Sequence, residues 1–412
     1  MPGGGLRGFL HDMWISLTTY TTLDRDARLA IMVQILVTIA IAMQEAIFSV
    51  YLSIAGYSEG DIGLVISVSM FLYSVLLIPG GIVADSLGRK RVSALGLILG
   101  AVSFIGYLNP MNLYYLILIA SIGGVGSALF GGTISAILAD VAPTPDRRNA
   151  VFSIAASLSS LAGVLGSLAG ASTRLLQSLG YNAKDSYYPV LLVMAISLAV
   201  SSVLVIIIRS SEARRSGGSK LYLPRKSSDI IIRGIAYAIV ISLGAGIITQ
   251  QLFALWLFKK FSVGQDFIAY LFALSRGILM FAFLASPAIA KRLGSVNSIV
   301  LTQSIGTAIL LAIAVASNSI VAGFLYSLRY VLMNMTTPIL RSLILGLVDP
   351  AERATASSVM ALALNLPGSF TPAVGGYLMS EVSLEIPFYV ATPFYATAIA
   401  MFYVFFKGYE KK

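Results

Sequence analysis

Three charged residues stand well inside long apolar stretches of the sequence, far from either end, where water cannot solvate a charge. These residues are Glu45, Arg276 and Arg329. A charge at the centre of a membrane-spanning helix costs about 2.5–3.5 kcal/mol on insertion scales, so it usually faces a cavity or a partner. A carboxylate in that place can take up and release a proton, and an arginine can bind an anion through two parallel hydrogen bonds. The three residues therefore predict a site for protons or for a charged solute.

Polar residues share helical faces with these charges. At helical spacing Thr38, Glu45 and Ser49 form one stripe, and Tyr326 lies on the same face as Arg329. The predicted binding residues are Thr38, Glu45, Ser49, Thr249, Gln250, Arg276, Tyr326, Arg329 and Asn365. The arginines could pair with Glu45 or bind an anionic substrate. Two structural alternatives stay open: a partner could neutralise Glu45, and the arginines could reach out to lipid headgroups.

The composition is that of a membrane protein. Of the 412 residues 57% are apolar and 11% are charged, whereas a soluble domain carries about 25% charged residues. No cysteine is present, and His11 is the single histidine, which excludes thiol catalysis, zinc–thiolate sites and histidine triads. No phosphate-binding or dinucleotide motif occurs, so we expect no enzyme, no metal and no cofactor. We assign the net charge of +10 to membrane topology and expect no nucleic-acid partner.

Twelve apolar stretches are long enough to cross about 30 Å of hydrocarbon. They lie at 29–54, 61–84, 92–109, 113–139, 149–177, 187–208, 230–258, 266–290, 296–316, 319–347, 354–379 and 387–406. With both termini inside, the inner loops and their flanks hold most of the 28 lysines and arginines, as the positive-inside rule requires. The predicted segments are an N-terminal interfacial segment (1–28), a six-helix bundle (29–208), a cytoplasmic linker (209–229), a second six-helix bundle (230–406) and a cytoplasmic tail (407–412).

The stretch 81–91, Gly-Ile-Val-Ala-Asp-Ser-Leu-Gly-Arg-Lys-Arg, reads as a short polar loop between the second and third spans. Its spacing of Gly81, Asp85, Gly88, Arg89 and Lys90 resembles the loop signature of the major facilitator superfamily. The two halves of the chain also repeat. At an offset of 205 residues Arg148 matches Arg353, and at an offset of 206 Gly88 matches Gly294. Both features are typical of that superfamily, and the resemblance covers essentially the whole chain after residue 28.

The resemblance implies an all-α fold of two pseudo-symmetric six-helix bundles with a site near the midplane, lined by the first, fourth, seventh and tenth helices. It also implies that Asp85 and Arg89 form a conformational latch, with Arg148 and Arg353 as neighbours. The sequence departs from the pattern of that superfamily in two places. Ala120 and Ser121 stand where the fourth span often carries an arginine, and 166–171 lacks the proline of drug antiporters.

The sequence thus predicts a secondary transporter of a small organic molecule by alternating access. We favour proton-coupled export, similar to the drug/proton antiporters, with Glu45 as the protonation site. The alternative is an organic-anion transporter that uses Arg276 and Arg329, and a third possibility is a non-transport protein such as a lipid scramblase. We expect a monomer in the cytoplasmic membrane, with both termini in the cytoplasm and with the substrate, protons and the lipid bilayer as its partners.

Overall fold

A computed structural model describes residues 23–142, 144–209, 226–350 and 352–409. Within these ranges all the regular structure is helical and no strand occurs. Most of the predicted interfacial segment, including His11, and most of the predicted linker lie outside the described residues.

Sixteen α-helices are present in the described ranges, and three short 3-10 turns accompany them. The helices are α1 (Arg25–Ile54), α2 (Glu59–Leu87), α3 (Arg89–Gly106), α4 (Leu113–Asp140), α5 (Pro145–Ala169), α6 (Ser172–Ser178), α7 (Tyr188–Ile207), α8 (Ser228–Ile247), α9 (Gln250–Phe261), α10 (Gln265–Leu293), α11 (Ser295–Ala314), α12 (Ser319–Asn334), α13 (Thr337–Leu347), α14 (Arg353–Asn365), α15 (Thr371–Glu381) and α16 (Ile386–Phe406).

Each of the twelve predicted spans is helical in the structure. Ten helical stretches among the described residues are long and apolar enough to cross a membrane. The third span is not among them because α3 has only 18 residues and begins with three cations. The eleventh span is not among them because it is divided into α14, with 13 residues, and α15, with 11.

Four predicted spans are broken in the middle, which the hydropathy of the sequence does not reveal. The fifth span divides into α5 and α6, the seventh into α8 and α9, the tenth into α12 and α13, and the eleventh into α14 and α15. At the fifth span backbone bonds bridge the break, because the N–H groups of Gly170 and Ala171 donate to the carbonyls of Ser167 and Leu168. A break that is not bridged leaves the last carbonyls of one helix and the first N–H groups of the next without partners in their own helices. In a membrane, neighbouring segments have to satisfy such groups.

Contacts between residues group the chain into two compact units. One unit contains the described residues up to Glu45 together with 75–209, and the other contains 46–74 together with 226–409. In the first unit α3 and α4 cross at two glycines, Gly96 and Gly126. A Cβ atom on Gly96 would lie 2.6 Å from the Gly126 carbonyl oxygen, so only glycine allows this approach.

The second unit is built around an apolar core between α8, α11 and α16. Ile299, Phe402 and Phe406 are fully buried there. Tyr237 is also buried, and its hydroxyl and the Gln303 side chain form a hydrogen bond of 3.0–3.2 Å. Each side chain of this buried pair therefore satisfies the other, as is usual for buried polar groups.

The predicted polar loop at 81–91 is wrong in its extent. Helix α2 continues through Asp85 to Leu87, and α3 begins at Arg89, so Gly88 alone connects the two helices. Gly88 has φ = 102°, a conformation that side chains disfavour, and this conformation reverses the chain within one residue. Gly294 makes the same one-residue turn between α10 and α11 with φ = 85°. Gly88 and Gly294, which match in the sequence repeat, therefore make the same kind of backbone turn.

We expect Gly88→Ala to lower the free energy of unfolding by about 1–3 kcal/mol, because alanine cannot adopt the positive φ without strain. Gly346→Ala is the matched control. Gly346 lies within α13 with open space around its Cα, so alanine there should leave stability unchanged or raise it by up to about 1 kcal/mol. Thermal unfolding of both variants in detergent tests the prediction, and equal shifts would contradict it.

Candidate functional site

Helix α1 carries the predicted acidic stripe. Glu45 and Thr38 are half-buried, and Ser49 is completely buried. The Thr38 hydroxyl donates to the carbonyl of Gln34, one turn back, at 2.8 Å. The Ser49 hydroxyl donates to the carbonyl of Gln251 at 2.6 Å. The two hydroxyls are therefore engaged with backbone, and the carboxyl group of Glu45 is the part of the stripe with acid–base chemistry.

Close packing holds α1 in the first unit. Gly166 of α5 lies against the backbone of Ile39 and the side chain of Ala42, and a Cβ atom there would be 2.9 Å from the Ala42 Cβ. This contact lies one turn from Glu45. The small residues of 166–171 therefore include a packing contact, the role that small residues have most often in membrane helices.

The break between α8 and α9 contains two predicted binding residues. Thr249 is the N-cap of α9, and its hydroxyl accepts a hydrogen bond from the Leu252 N–H at 3.2 Å. Gln250, the first residue of α9, is half-buried. The carbonyl of Ile247, at the end of α8, lies against Gly375 of α15. This break therefore packs against α15, the second half of the broken eleventh span.

Tyr326 lies in the interior of the second unit. It is 6% exposed, and its ring stacks on Phe253 of α9 with the centroids 4.0 Å apart and the planes 10° from parallel. Phe272 of α10 lies 5.6 Å away on another side. Aromatic faces thus lie against the ring, and the stack joins α12 to α9 and α10. The part of Tyr326 in substrate binding stays a prediction.

Arg329, one turn further along α12, has an unusual environment. Its guanidinium carbon lies 4.9 Å from the centre of the Tyr395 ring. Nε and Nη2 are buried, and neither has a hydrogen-bond acceptor among the described residues. A cation–π contact stabilises a guanidinium by about 0.5–2 kcal/mol. That contact does not replace the hydrogen bonds that these two nitrogens would make in water.

The remaining predicted binding residues lie in the second unit as well. Arg276 is half-buried in the middle of α10. Asn365 ends α14, and its amide donates to the Ala361 carbonyl at 2.7 Å, so it stays within its own helix. Within this unit the structure brings Tyr326 of α12 to α9, the helix that Gln250 begins.

A compact ionic cluster lies where α2 ends and α3 begins. Arg89 donates to both carboxylate oxygens of Asp140 at 2.7 and 2.9 Å, and its Nε donates to Asp85 at 2.9 Å. The Arg89 and Asp140 side chains are each 13% exposed, whereas that of Asp85 is 56% exposed. Burial lowers the pKa of Arg89, but the hydrogen bonds to Asp140 and Asp85 raise it overall. Asp140 is therefore the principal partner of Arg89.

A hydrogen bond from Lys90 and a close approach of two helices lie beside this cluster. Lys90 donates from Nζ to the Ile208 carbonyl at the end of α7, at 3.1 Å. Gly81 faces Gly132 of α4, where a Cβ atom on Gly132 would be 3.2 Å from the Gly81 nitrogen, so α2 and α4 approach closely. Arg148 and Arg353 are both exposed, and their part in a latch stays a prediction.

Adjacent lysines at the end of α9 bind two different segments. Lys259 pairs with Glu59 at the start of α2, at 2.9 Å. Lys260 pairs with Glu385 before α16, at 3.0 Å. Burial raises the pKa of Glu385, but Lys260 outweighs this effect, and the pKa is lowered overall. The first pair thus connects distant parts of the sequence, and the second stays within the C-terminal half.

Sequence reasoning did not identify Asp140, Glu59, Lys259, Tyr395 or the capping serine Ser67 described below. Asp140 offered one signal, because it is an acid directly at the end of an apolar stretch. The other residues gave none, since their significance depends on which helices pack together.

Asp140→Asn should lower the free energy of unfolding by about 2 kcal/mol, because it leaves the largely buried Arg89 with only the exposed Asp85. Asp24→Asn is the matched control. Asp24 pairs with Arg147 at 2.6 Å, but both side chains are at least 60% exposed, so its loss should change stability by less than about 1 kcal/mol. Thermal unfolding in detergent compares the two, and an equal effect would contradict the assignment of Asp140.

The family model described as Major Facilitator Superfamily matches residues 30–340. Among curated proteins, quinolone resistance protein NorA of Staphylococcus aureus (strain MRSA252) is 29% identical over 109 residues. This match covers 26% of the chain and 28% of NorA, so it spans about a quarter of the relative's length.

Solved transporter structures share the fold over most of the chain. A bacterial homolog of the human lysosomal transporter Spinster has a TM-score of 0.75 at 14% identity, with 92% of this chain and 96% of that one covered. The nucleoside transporter NupG has a TM-score of 0.73 at 14% identity, with 94% and 100% covered. The D-xylose-proton symporter has a TM-score of 0.72 at 14% identity, with 92% and 97% covered. Together with the helical architecture, the family match shows that this chain belongs to the Major Facilitator Superfamily and is an integral membrane transporter of the secondary type, not an enzyme.

Proposed function

We propose that the protein exports small amphipathic organic molecules by alternating access, driven by proton uptake at Glu45. The position of Glu45 carries the proposal. It lies well inside α1, whereas every other acid among the described residues stands at a helix end or in a connection. Protonation would remove a charge that is expensive in mid-membrane, so proton binding and the environment of α1 would be coupled.

The comparisons support the direction of transport and the coupling ion in this proposal. The quinolone resistance protein, which matches 26% of the chain, favours export of an organic molecule. The symporter of the same fold favours the proton as the coupling ion. In this proposal the transporter acts as a monomer in the cytoplasmic membrane, with both termini inside. Its partners are the substrate, protons and the lipid bilayer.

Glu45→Gln should abolish transport driven by a pH gradient in proteoliposomes, because the amide cannot take up a proton. Exchange of substrate across the membrane should continue. The substrate used is the strongest stabiliser in a thermal-shift screen of organic amines and acids at pH 6 and pH 8. Exposed Glu381→Gln is the control and should behave like the wild type. Gradient-driven transport by Glu45→Gln at the wild-type rate would rule out the role of Glu45.

A second candidate function is the transport of organic anions by Arg276 and Arg329. The observation that favours it is the pair of buried Arg329 nitrogens without hydrogen bonds in the described structure. A carboxylate or sulfonate of a substrate could accept from both. Such charge-assisted contacts are worth about 1.5–3 kcal/mol. The same contact would explain why a cation is retained beside Tyr395 at this depth.

Arg329→Gln should therefore weaken the binding of benzoate or benzenesulfonate roughly 10- to 150-fold, the equivalent of that contact energy. It should leave an organic amine bound as well or better, because a positive charge is gone. Arg174→Gln is the control, since Arg174 is exposed on α6 and should not affect either ligand. Equal loss for the anions and the amine would contradict the anion hypothesis.

A further inference from the structure

The eleventh span is broken before α15, and the new helix has no cap of its own. Asn365 ends α14, a 3-10 turn covers Pro367–Ser369, and α15 begins at Thr371. Phe370 stands at the N-cap position and makes no side-chain cap hydrogen bond. Because Pro372 has no N–H, the N–H of Ala373 is the one that a capping side chain would normally satisfy.

A serine from α2 takes this place. Ser67 Oγ accepts a hydrogen bond from the Ala373 N–H at 2.7 Å, and it donates to the Phe370 carbonyl at 3.3 Å. The side chain is only 6% exposed. Ser67 therefore makes the side-chain contact of an N-cap residue to the Ala373 N–H, although more than 300 residues separate it from α15 along the chain.

The cap works only while α2 and α15 are in direct contact. Gly63, one turn before Ser67, meets Gly376 so closely that a Cβ atom on Gly376 would be 2.9 Å from the Gly63 Cα. One turn beyond Ser67, the rings of Phe71 and Phe370 lie 5.0 Å apart. A single face of α2 therefore follows α15 over more than two turns. We call the end of α2 at Glu59, together with the part of α15 beside it, the far end. The name marks its position at the opposite end of α2 from the ionic cluster at Asp85.

We infer that Ser67 is a positioning residue of the transport cycle. It caps α15 only when the far end is closed, so closure of the far end and helical order at the break in the eleventh span form one event. When α2 leaves α15, the Ala373 N–H and the Phe370 carbonyl lose their partner, and the first turn of α15 loosens. This inference rests on the proposed alternating access, because it assigns Ser67 to one of two states.

The chain contains no cysteine, so closure can be measured with one engineered pair. A Cβ atom on Gly60 would lie 3.9 Å from the Cβ of Ser380, within the range that disulfides require. The Gly60→Cys/Ser380→Cys protein should therefore cross-link when the far end is closed. The rate of disulfide formation under mild oxidant reports the population of that state and needs no substrate.

In this background Ser67→Ala should lower the rate of cross-linking roughly fivefold, the equilibrium effect of a typical helix cap. Ser67→Thr should restore it, because the hydroxyl returns. Ser74→Ala is the matched control. Ser74 is also buried on α2, but within the described part of the chain its hydroxyl bonds only to the Met70 carbonyl of its own helix, so its loss should not change the rate. Equal rates in Ser67→Ala and Ser74→Ala, or no recovery with Ser67→Thr, would overturn the inference.

Hydrogen exchange provides a second measurement that does not depend on folding of the alanine variant. In the cysteine-pair protein the amides at 373–376 should exchange at least severalfold more slowly in the oxidised, closed form than in the reduced form. Identical exchange in both forms would overturn the inference. The pH-driven transport assay separates this from the proposed function. If a pH gradient drives no transport but Ser67→Ala still lowers the rate of cross-linking, proton-driven export is rejected and the role of Ser67 remains.

Discussion

The free energy of an unsatisfied backbone group in hydrocarbon governs this structure. No water is present in hydrocarbon to bond an exposed N–H or C=O group, so the backbone groups freed by a break in a helix need partners elsewhere in the protein. At the seventh span Thr249 caps α9 from within the same span. At the eleventh span Ser67 of α2 supplies the cap. The first break is thus satisfied locally, whereas the second depends on a contact between distant parts of the chain.

The same constraint explains where the charges lie. The cluster of Arg89 with Asp140 and the pair of Lys259 with Glu59 stand at helix ends, where part of each side chain can reach water or headgroups. Among the described residues a few charges, including Glu45, Arg276 and Arg329, lie at mid-span. Of these, Glu45 suits a proton site and Arg329 suits an anion site. Binding of the proton or the anion that we propose would neutralise a charge that is costly in hydrocarbon.

The sequence predicted the limits of the twelve helical spans to within a few residues, because long apolar runs alternate with charged and glycine-rich connections. It predicted the wrong extent for the polar stretch at 81–91, since a helix can carry Asp85 and Ser86 on its end when a single glycine makes the turn. The break at Ile248 escaped prediction because its stabilising neighbours, Gly368 and Gly375, lie over 100 residues away. The partnership of Arg89 with Asp140 was invisible for the same reason: it depends on helix packing and not on local pattern.

The contact of Gly63 with Gly376 has a consequence for the speed of motion. Two glycines bring backbones together without any side chain to lose rotamer freedom, so forming the contact orders little that was mobile before. Leucine or methionine in these places would have to be repacked on every separation and reassembly. An interface of bare backbone can instead part and re-form as a rigid surface. In the proposed transport cycle, the conformational entropy of the side chains would then add little to the barrier between the joined and the separated state.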